Sequence, residues 1–277
     1  MMNLRNFARL WLPAILLNAV RRLRYWCLIN DKIRFVGDYG TWAQAEQASV
    51  GYSALNILER TRSAMLKVKN GEAPYARDAV VFDELVCPFP VLAGLLRARS
   101  AADNRLSVLD FGGSLGTTYY QCRDFLSGTG PFRWSVVEQP EHVKCGREEF
   151  ADERLRFYTS IDECLAQEQP NVLLMSGVIQ CLPTPHEFLA DVLERAFPHV
   201  IVDRTAFFTA DRDLLTVQHV PEWIYRATYP AWFLSEKRFL SWFSKRYRLV
   251  ASFPAADDIS PEAGSAYWKG FIFEIAP

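Results

Sequence analysis

The segment Val108-Leu-Asp-Phe-Gly-Gly-Ser-Leu-Gly116 determines the fold class that the sequence predicts. It begins as a short apolar strand and ends in a glycine-rich loop, and a helical pattern follows over Thr117–Leu126. Glycines in such a loop allow a ligand to approach the backbone, and the N-terminus of the helix offers N–H groups without intrahelical partners. The segment therefore predicts a ligand site at the carboxyl end of a buried strand.

Strands and helices alternate after this segment. Four further apolar stretches predict strands: Trp134–Glu138, Leu155–Tyr158, Asn171–Ser176 and His199–Asp203. Such alternation is typical of a parallel sheet covered by helices on both faces. Tyr247–Phe253 and Lys269–Glu274 are separated by about 15 residues without a helical pattern, so we expect these two strands to pair antiparallel.

The chain divides by pattern into two parts. Residues 1–100 are predicted to be a mostly helical N-terminal region, with Thr41 capping one helix and Ala79–Arg99 forming an interrupted one. Residues 101–277 are predicted to form the α/β domain. Within it, residues 205–233 form an aromatic-rich insertion, which suits either a cap over a sugar-sized ligand or a packed lid core.

Composition excludes several classes of protein. Half of the 277 residues are apolar and 23% are charged, which fits a globular chain, and the net charge of −1 gives no bulk case for nucleic-acid binding. Residues 1–34 nevertheless carry seven basic residues against one acidic residue. This segment is interpreted either as a basic amphipathic helix on an anionic membrane face or as a helix docked on the domain.

The six cysteines show no metal-type spacing, and a chain of this size does not need disulfides to fold. Free thiols therefore favour a cytoplasmic location, with the inner face of the cytoplasmic membrane as the alternative if residues 1–34 bind lipid. No pattern of acids or histidines predicts a metal site.

The loop restricts the type of ligand. Glu138 ends the second strand, where an acid typically binds ribose hydroxyls. The glycine spacing does not match the G-x-G-x-x-G of dinucleotide sites, and Asp110 directly before the loop is a feature of S-adenosylmethionine (SAM) sites. SAM is thus favoured over NAD, and a tight strand–helix turn without a ligand is the remaining alternative.

Several motifs together resemble the class I SAM-dependent methyltransferases, and more narrowly the methyltransferase family encoded in bacterial surface-polysaccharide clusters. The resemblance covers about residues 35–275 and is carried by Gly37–Trp42, Leu109–Gly116, Trp134–Pro140, Ser176–Gln180, Asp203–Thr205, and the stretch from Gln218 through Tyr225 to Pro230. It implies a Rossmann-like, seven-stranded, mostly parallel sheet with one antiparallel strand near the C-terminus and a helical N-terminal extension. Ser114 stands where the general SAM pattern has its middle glycine.

Candidate site residues follow from the loop, the strand ends and the resemblance. The cofactor candidates are Asp110, Gly112, Gly113, Ser114, Gly116, Glu138, Gln139, Ser160, Ile161, Ser176 and Gly177. An acceptor would lie over the ends of the fourth and fifth strands, so the catalytic candidates are Asp203 as a base with Arg204 as its partner or an anion anchor, and His219 as a second base. Structural roles for these three residues are the alternative. The substrate-binding candidates are Gln180, Gln218, Glu222, Tyr225 and Tyr229.

Three functions remain open on the sequence. The favoured hypothesis is SAM-dependent O-methylation of a glycan or sugar-phosphate acceptor in surface polysaccharide (O-antigen) biosynthesis. The alternatives are a nucleotide-sugar or NAD-dependent enzyme on the same type of sheet, and a non-catalytic binding protein that keeps the methyltransferase-like core. The oligomeric state is not predicted.

Overall fold

The computed structural model describes residues 32–49, 54–255, 257 and 259–276. The predictions for the basic segment 1–34 therefore fall almost entirely outside the described residues. Residues Arg34–Pro277 form one compact unit, and the fold below is that of this unit. No helix within the described ranges combines the length and the apolar character needed to cross a bilayer.

The secondary structure follows the strand–helix alternation that the sequence predicts. The helices are α1 (Trp42–Gln47), α2 (Ala54–Lys69), α3 (Phe89–Ser100), α4 (Thr117–Ser127), α5 (Pro140–Glu149), α6 (Ile161–Leu165), α7 (Pro185–Glu194) and α8 (Glu236–Phe243), with a 3₁₀ turn at Ile179–Cys181. The strands are β1 (Arg34–Val36), β2 (Tyr75–Arg77), β3 (Val80–Phe82), β4 (Leu106–Phe111), β5 (Phe132–Val137), β6 (Leu155–Tyr158), β7 (Val172–Ser176), β8 (His199–Phe208), β9 (Leu214–Val220), β10 (Ala227–Phe233), β11 (Tyr247–Pro254) and β12 (Ala266–Ile275).

Seven of these strands form the central sheet, in the order β11-β12-β8-β7-β4-β5-β6. The five strands from β4 to β8 pair in parallel, and β12 is antiparallel to both of its neighbours, β8 and β11. The predicted fold class, a seven-stranded and mostly parallel Rossmann-like sheet with an antiparallel strand near the C-terminus, is confirmed. So is the antiparallel pairing of the last two strands.

The sheet is held by apolar side chains on both faces, as near-continuous apolar strands require. Alternate residues of the same strand enter different clusters: Val108 packs with Trp134 on one face, and Leu109 packs with Val137 and Leu173 on the other. All of these side chains are buried. Truncation of a fully buried aromatic side chain such as Trp134 typically costs about 3–5 kcal/mol of stability. This packing holds the strands whose ends carry the candidate site residues.

The N-terminal region departs from its prediction as a helical unit. It contains three strands: β1 pairs with β9 in a separate three-stranded antiparallel sheet with β10, and β2 and β3 form a hairpin. The helical pattern predicted over Ala79–Arg99 is wrong before Phe89, because Pro88 and Pro90 restrict helix formation to the segment that follows. The Thr41 cap is confirmed, since its side chain accepts the Gln44 N–H.

The aromatic-rich insertion 205–233 is a β structure. Strand β8 continues to Phe208, and β9 and β10 supply most of the rest. Part of its aromatic content fills the core, because Phe207 and Phe233 are fully buried. The five cysteines within the described ranges are free thiols, as predicted.

Candidate functional site

A cavity of about 1030 Å³ lies at the carboxyl ends of the parallel strands, and it is lined by residues of β4, β7 and β8 and by residues directly after β5. This is the edge at which open α/β sheets bind ligands. Its volume is at the upper limit of ordinary small-molecule pockets, which suits two ligands side by side. We name its two parts by what builds them. The glycine-loop end consists of the lining residues within 110–118 and 138–142. The bulge end consists of the lining residues Arg77, Asp78, Ser176, Asp203, Arg204, Tyr225 and Tyr229, together with Asp257, which pairs with Arg204.

The glycine-loop end is shaped by backbone. Gly112 has φ +73°, and a Cβ atom there would overlap the side chain of Val178. A Cβ on Gly113 would lie 2.5 Å from Oδ2 of Asp110. Gly116, with φ +86°, is the N-cap of α4 and provides no side-chain cap. The loop therefore requires glycine for steric reasons, and the first N–H groups of α4 have no side-chain acceptor from the N-cap residue.

Asp110 is the most unusual charged residue of this end. Its side chain is buried, with 1% exposure, and Nε1 of Trp134 donates to its Oδ2 at 2.9 Å. Oδ1 is buried and has no hydrogen-bond partner. Burial raises the pKa of Asp110 to about 7; the Trp134 hydrogen bond opposes this shift and Glu138 adds to it. A buried acceptor without a partner is costly, and a hydrogen-bond donor or a cation in the cavity would remove that cost.

The ends of β5 and β6 complete this part of the cavity. Glu138 and Gln139 follow β5 and line the cavity, and Oε2 of Glu138 accepts the Gln139 N–H at 2.6 Å. Beyond β6, Thr159 lines the cavity, whereas Ser160 and Ile161 do not. Ser160 instead caps α6 by accepting the Glu163 N–H, and Ile161 packs into the core.

The cofactor candidates thus fall into two groups. Those that line the cavity are Asp110, Gly112, Gly113, Ser114, Glu138, Gln139, Ser176 and Gly177. Those outside the lining are Gly116, Ser160 and Ile161.

The bulge end is created by an irregularity in the pairing of β8 with β12. Val202 pairs with Phe271 and Thr205 pairs with Lys269, so Asp203 and Arg204 together face one residue of β12. Arg204 has φ +51°, which is uncommon for a residue with a side chain. Side chains normally alternate between the two faces of a strand, and a β-bulge redirects them. This bulge explains how two consecutive residues, Asp203 and Arg204, both line the cavity.

Asp203 is 9% exposed, and Oγ of Ser176 donates to its Oδ2 at 3.2 Å. Burial raises the pKa of Asp203 above its ordinary value, although the Arg204 guanidinium and the Ser176 hydrogen bond act in the opposite direction. A carboxylate with a raised pKa in a cavity can accept a proton from a bound hydroxyl.

Arg204 is held by two carboxylates. Its Nε donates to Oδ2 of Asp257 at 2.8 Å, and its Nη2 donates to Oδ2 of Asp78 at 3.1 Å. Burial alone would lower the pKa of Arg204, but the two aspartates hold it above its ordinary value. The guanidinium therefore stays charged, and both of these aspartates are already its partners.

The remaining substrate candidates are divided by the fold. Tyr225 and Tyr229 line the cavity, and their hydroxyl oxygens lie 3.4 Å apart. Gln180 lies outside the lining, where its Nε2 donates to the Arg204 carbonyl at 3.2 Å and supports the bulge. His219, Gln218 and Glu222 are also outside the cavity lining: the first two lie on β9 in the three-stranded sheet, and Glu222 is exposed on the loop after it.

Sequence reasoning missed the contribution of the N-terminal region to the bulge end. Trp42, Tyr75, Arg77 and Asp78 line the cavity, and Asp257 reaches Arg204 from the loop after β11. Asp78 and Ala79 form the β2–β3 turn with φ values of +49° and +64°. Such turns are marked most strongly by glycine after asparagine or aspartate, and Ala79 stands where that glycine would be, so the sequence signal for this hairpin was weak.

Within the described ranges, no group of three or more His, Cys, Asp or Glu side chains is arranged to hold a metal ion. No metal role is assigned to the cavity.

Comparisons with known proteins find matches among solved structures only; no family model and no curated protein matches the chain. The LepI complex with SAM is 13% identical over 67% of this chain and 46% of that chain, with a TM-score of 0.45. The mitomycin 7-O-methyltransferase MmcR is 16% identical over 67% of this chain and 53% of that chain, with a TM-score of 0.41. The N-terminal domain of EvdMO1, in the presence of SAH and D-fucose, is 12% identical over 82% of this chain and 98% of that chain, with a TM-score of 0.46. The chain spans about half the length of the first two structures. At these identities, the assignment of an activity depends on the geometry of the cavity.

Proposed function

We propose that the protein is a SAM-dependent methyltransferase that methylates a hydroxyl group of a sugar or sugar phosphate. The observation that carries this proposal is the buried Asp110 carboxyl group, whose Oδ1 has no hydrogen-bond partner. It lies next to a loop in which positions 112 and 113 leave no room for a side chain, and it lines the same cavity as Asp203. When bound, SAM supplies a methyl group on a positively charged sulfur.

The glycine-loop end fits this cofactor. Asp110 offers a buried acceptor for the ammonium group of the methionine part, and ionisation of its carboxyl is favoured once that cation is present. Gly112 and Gly113 permit a ligand to lie against the backbone. Glu138 lies at the end of β5, where an acid accepts hydrogen bonds from ribose hydroxyls.

The bulge end supplies the groups that an acceptor hydroxyl requires. Asp203 accepts the hydroxyl proton, and Ser176 orients the carboxylate by donating to its Oδ2. The aromatic faces of Tyr225 and Tyr229 suit the apolar face of a sugar ring, and their hydroxyl groups suit its polar edge. Much of the rate enhancement of a methyl transfer comes from alignment of the two reactants, which a walled cavity provides.

The biological setting belongs to the same proposal. A cytoplasmic enzyme of surface polysaccharide biosynthesis agrees with the resemblance carried by the sequence motifs, and the basic segment 1–34 suits contact with an anionic membrane face. Vesicle sedimentation at two salt concentrations, with and without residues 1–34, tests the membrane contact.

Calorimetric titration tests the cofactor. SAM and S-adenosylhomocysteine should bind, whereas NAD and nucleotide sugars should not. Asp110→Asn should weaken SAM binding at least about tenfold, because it removes a buried charge partner. Asp124→Asn, an exposed acid of α4, is the matched control and should leave the affinity unchanged. No binding of SAM at millimolar concentration, with binding of NAD instead, would exclude the proposal.

Transfer of a labelled methyl group tests the activity. The panel contains monosaccharides, their methyl glycosides and their phosphates, and the product is identified by mass. Binding of SAM without transfer to any member would favour the non-catalytic alternative over the enzyme.

A further inference from the structure

We infer that Asp78 and Asp257 determine acceptor specificity, because they compensate the charge of Arg204 and make the bulge end repel anions. The acceptor therefore carries no phosphate or carboxylate beside the methylated hydroxyl. The inference rests on the proposed function and decides between the sugar and the sugar phosphate. It concerns a pair of residues that no sequence motif singled out.

An anionic acceptor would need an unpaired cation at the bulge end. Arg204 lines the cavity, but two of its three guanidinium nitrogens already donate to carboxylates of the protein. Nε donates to Asp257 at 2.8 Å, and Nη2 donates to Asp78 at 3.1 Å. Arg77, the other arginine in the lining, has Nε 3.8 Å from the same oxygen of Asp78. Both arginines at this end are therefore compensated by carboxylates of the protein itself.

The balance of charge at the bulge end is negative. Asp78 and Asp257 pair with the guanidinium groups of Arg77 and Arg204, and Asp203 adds a third carboxyl group that interacts with Arg204. A phosphate brings about two further negative charges, and on Arg204 it would share the guanidinium with Asp78 and Asp257. Asp78 and the phosphate would then lie close together in a partly buried site, where like charges repel strongly. A neutral hydroxylated ring meets no such repulsion.

The two aspartates are anchored differently, and this makes the inference testable. The Asp257 side chain is 14% exposed, whereas the Asp78 side chain is 53% exposed at the tip of the β2–β3 hairpin. Asp78 has φ +49°, a conformation that asparagine tolerates as well as aspartate. Asp78→Asn should therefore preserve the turn while it removes one negative charge from Arg204.

The experiment measures binding of inorganic phosphate by calorimetry to the protein saturated with S-adenosylhomocysteine. The wild-type protein should show no saturable binding at millimolar phosphate. Asp78→Asn should bind phosphate at least about tenfold more tightly than wild type, equivalent to about 1.4 kcal/mol. Arg204→Gln introduced into Asp78→Asn should abolish the gain, which places the phosphate on the guanidinium.

Asp38→Asn is the matched control. Asp38 pairs with Arg212 through two hydrogen bonds, of 3.2 and 2.6 Å, and neither residue lines the cavity. Asp38→Asn also removes one negative charge beside an arginine, in this case Arg212. Because the site is outside the cavity, the substitution should not change phosphate binding at the cavity.

Two outcomes would overturn the inference. The first is saturable binding of phosphate to the wild-type protein that the Arg204→Gln substitution removes. The second is an Asp78→Asn variant that is folded by circular dichroism but has no higher affinity for phosphate than the wild type. Failure of S-adenosylhomocysteine to bind would count against the proposed function instead, and the phosphate titration of the unliganded protein would still decide the charge preference. Methyl transfer to matched neutral and phosphorylated sugars gives the second readout, with the neutral member favoured.

Discussion

The two ends of the cavity are built in contrasting ways. The glycine-loop end comes mainly from two short continuous stretches, 110–118 and 138–142, and its shape depends on backbone and on one buried carboxylate. The bulge end is assembled from side chains that are remote in sequence, including Asp78, Arg204 and Asp257, and its shape depends on their charges. The contrast teaches that one end of a cavity can be encoded by local sequence, whereas the other is encoded only by the tertiary fold.

The largest effect that separates the two ends is expected from Asp203→Asn. Loss of a general base typically lowers turnover by about 10²- to 10⁴-fold, while the affinity for SAM should stay unchanged because Asp203 belongs to the bulge end. Turnover is measured on an acceptor found in the labelled-methyl panel. Asp191→Asn, an exposed acid of α7, is the control. A parallel loss of SAM affinity would show that the two ends are not separate.

The second effect concerns the opposite end. Gly112→Ala should weaken SAM binding at least about 100-fold, because the new Cβ combines a strained φ with an overlap on Val178. Gly71→Ala is the matched control, since Gly71 has a similar φ of +75° with open space around it. Calorimetry measures affinity, and thermal unfolding measures the shared backbone strain. Equal losses of affinity in both variants would contradict the steric explanation.

The contrast between local and long-range structure explains which features could be predicted from the sequence and which could not. Strand–helix alternation and the segment 108–116 were sufficient for the central sheet and for most of the glycine-loop end, because both depend on local patterns. The β-bulge was not predictable, since it exists only through the pairing of β8 with β12. The helix predicted over Ala79–Arg99 is wrong at β3, because the β2–β3 turn lacks the glycine that marks most such turns. Ser160 and Ile161 follow β6 and were predicted to bind the cofactor, but they lie outside the cavity lining. Ser160 caps α6, and Ile161 packs into the core.

A third, smaller effect is the pH dependence of the glycine-loop end. The pKa of Asp110 is raised to about 7 in the unliganded protein, and a cationic ligand favours its ionised form. SAM affinity should therefore fall as the pH drops below about 7, by at most about tenfold per pH unit. The slope should disappear in Asp110→Asn, and calorimetry over a pH series measures it. An unchanged slope in that variant would assign the dependence to another group.

The raised pKa of Asp110 also makes the stability of the folded protein depend on pH. The ordinary pKa of the Asp110 carboxyl is 3.8, so between pH 4 and about 7 the folded state holds a proton that the unfolded state has lost. Asp110 therefore makes the unliganded protein less stable as the pH rises through this window. SAM should oppose that loss.

The smallest effect is expected from His219→Ala. His219 lies on β9 and outside the cavity lining, so neither turnover nor SAM affinity should change measurably. Steady-state kinetics beside the Asp203→Asn variant provides the comparison. A loss of turnover similar to that of Asp203→Asn would mean that the three-stranded sheet takes part in the reaction and would redefine the bulge end.

The ion pair between Arg204 and Asp78 joins residues 126 positions apart, whereas the hydrogen bond between Trp134 and Asp110 spans only 24. Closing the longer loop sacrifices more chain entropy, and contacts of long sequence separation form late in folding. We therefore expect the glycine-loop end to form before the bulge end. Native-state hydrogen exchange should show this order as earlier opening of β2 and β3 than of β4 and β5. If the proposed function holds, loss of the hairpin alone should leave a protein that still binds its cofactor but no longer discriminates among acceptors.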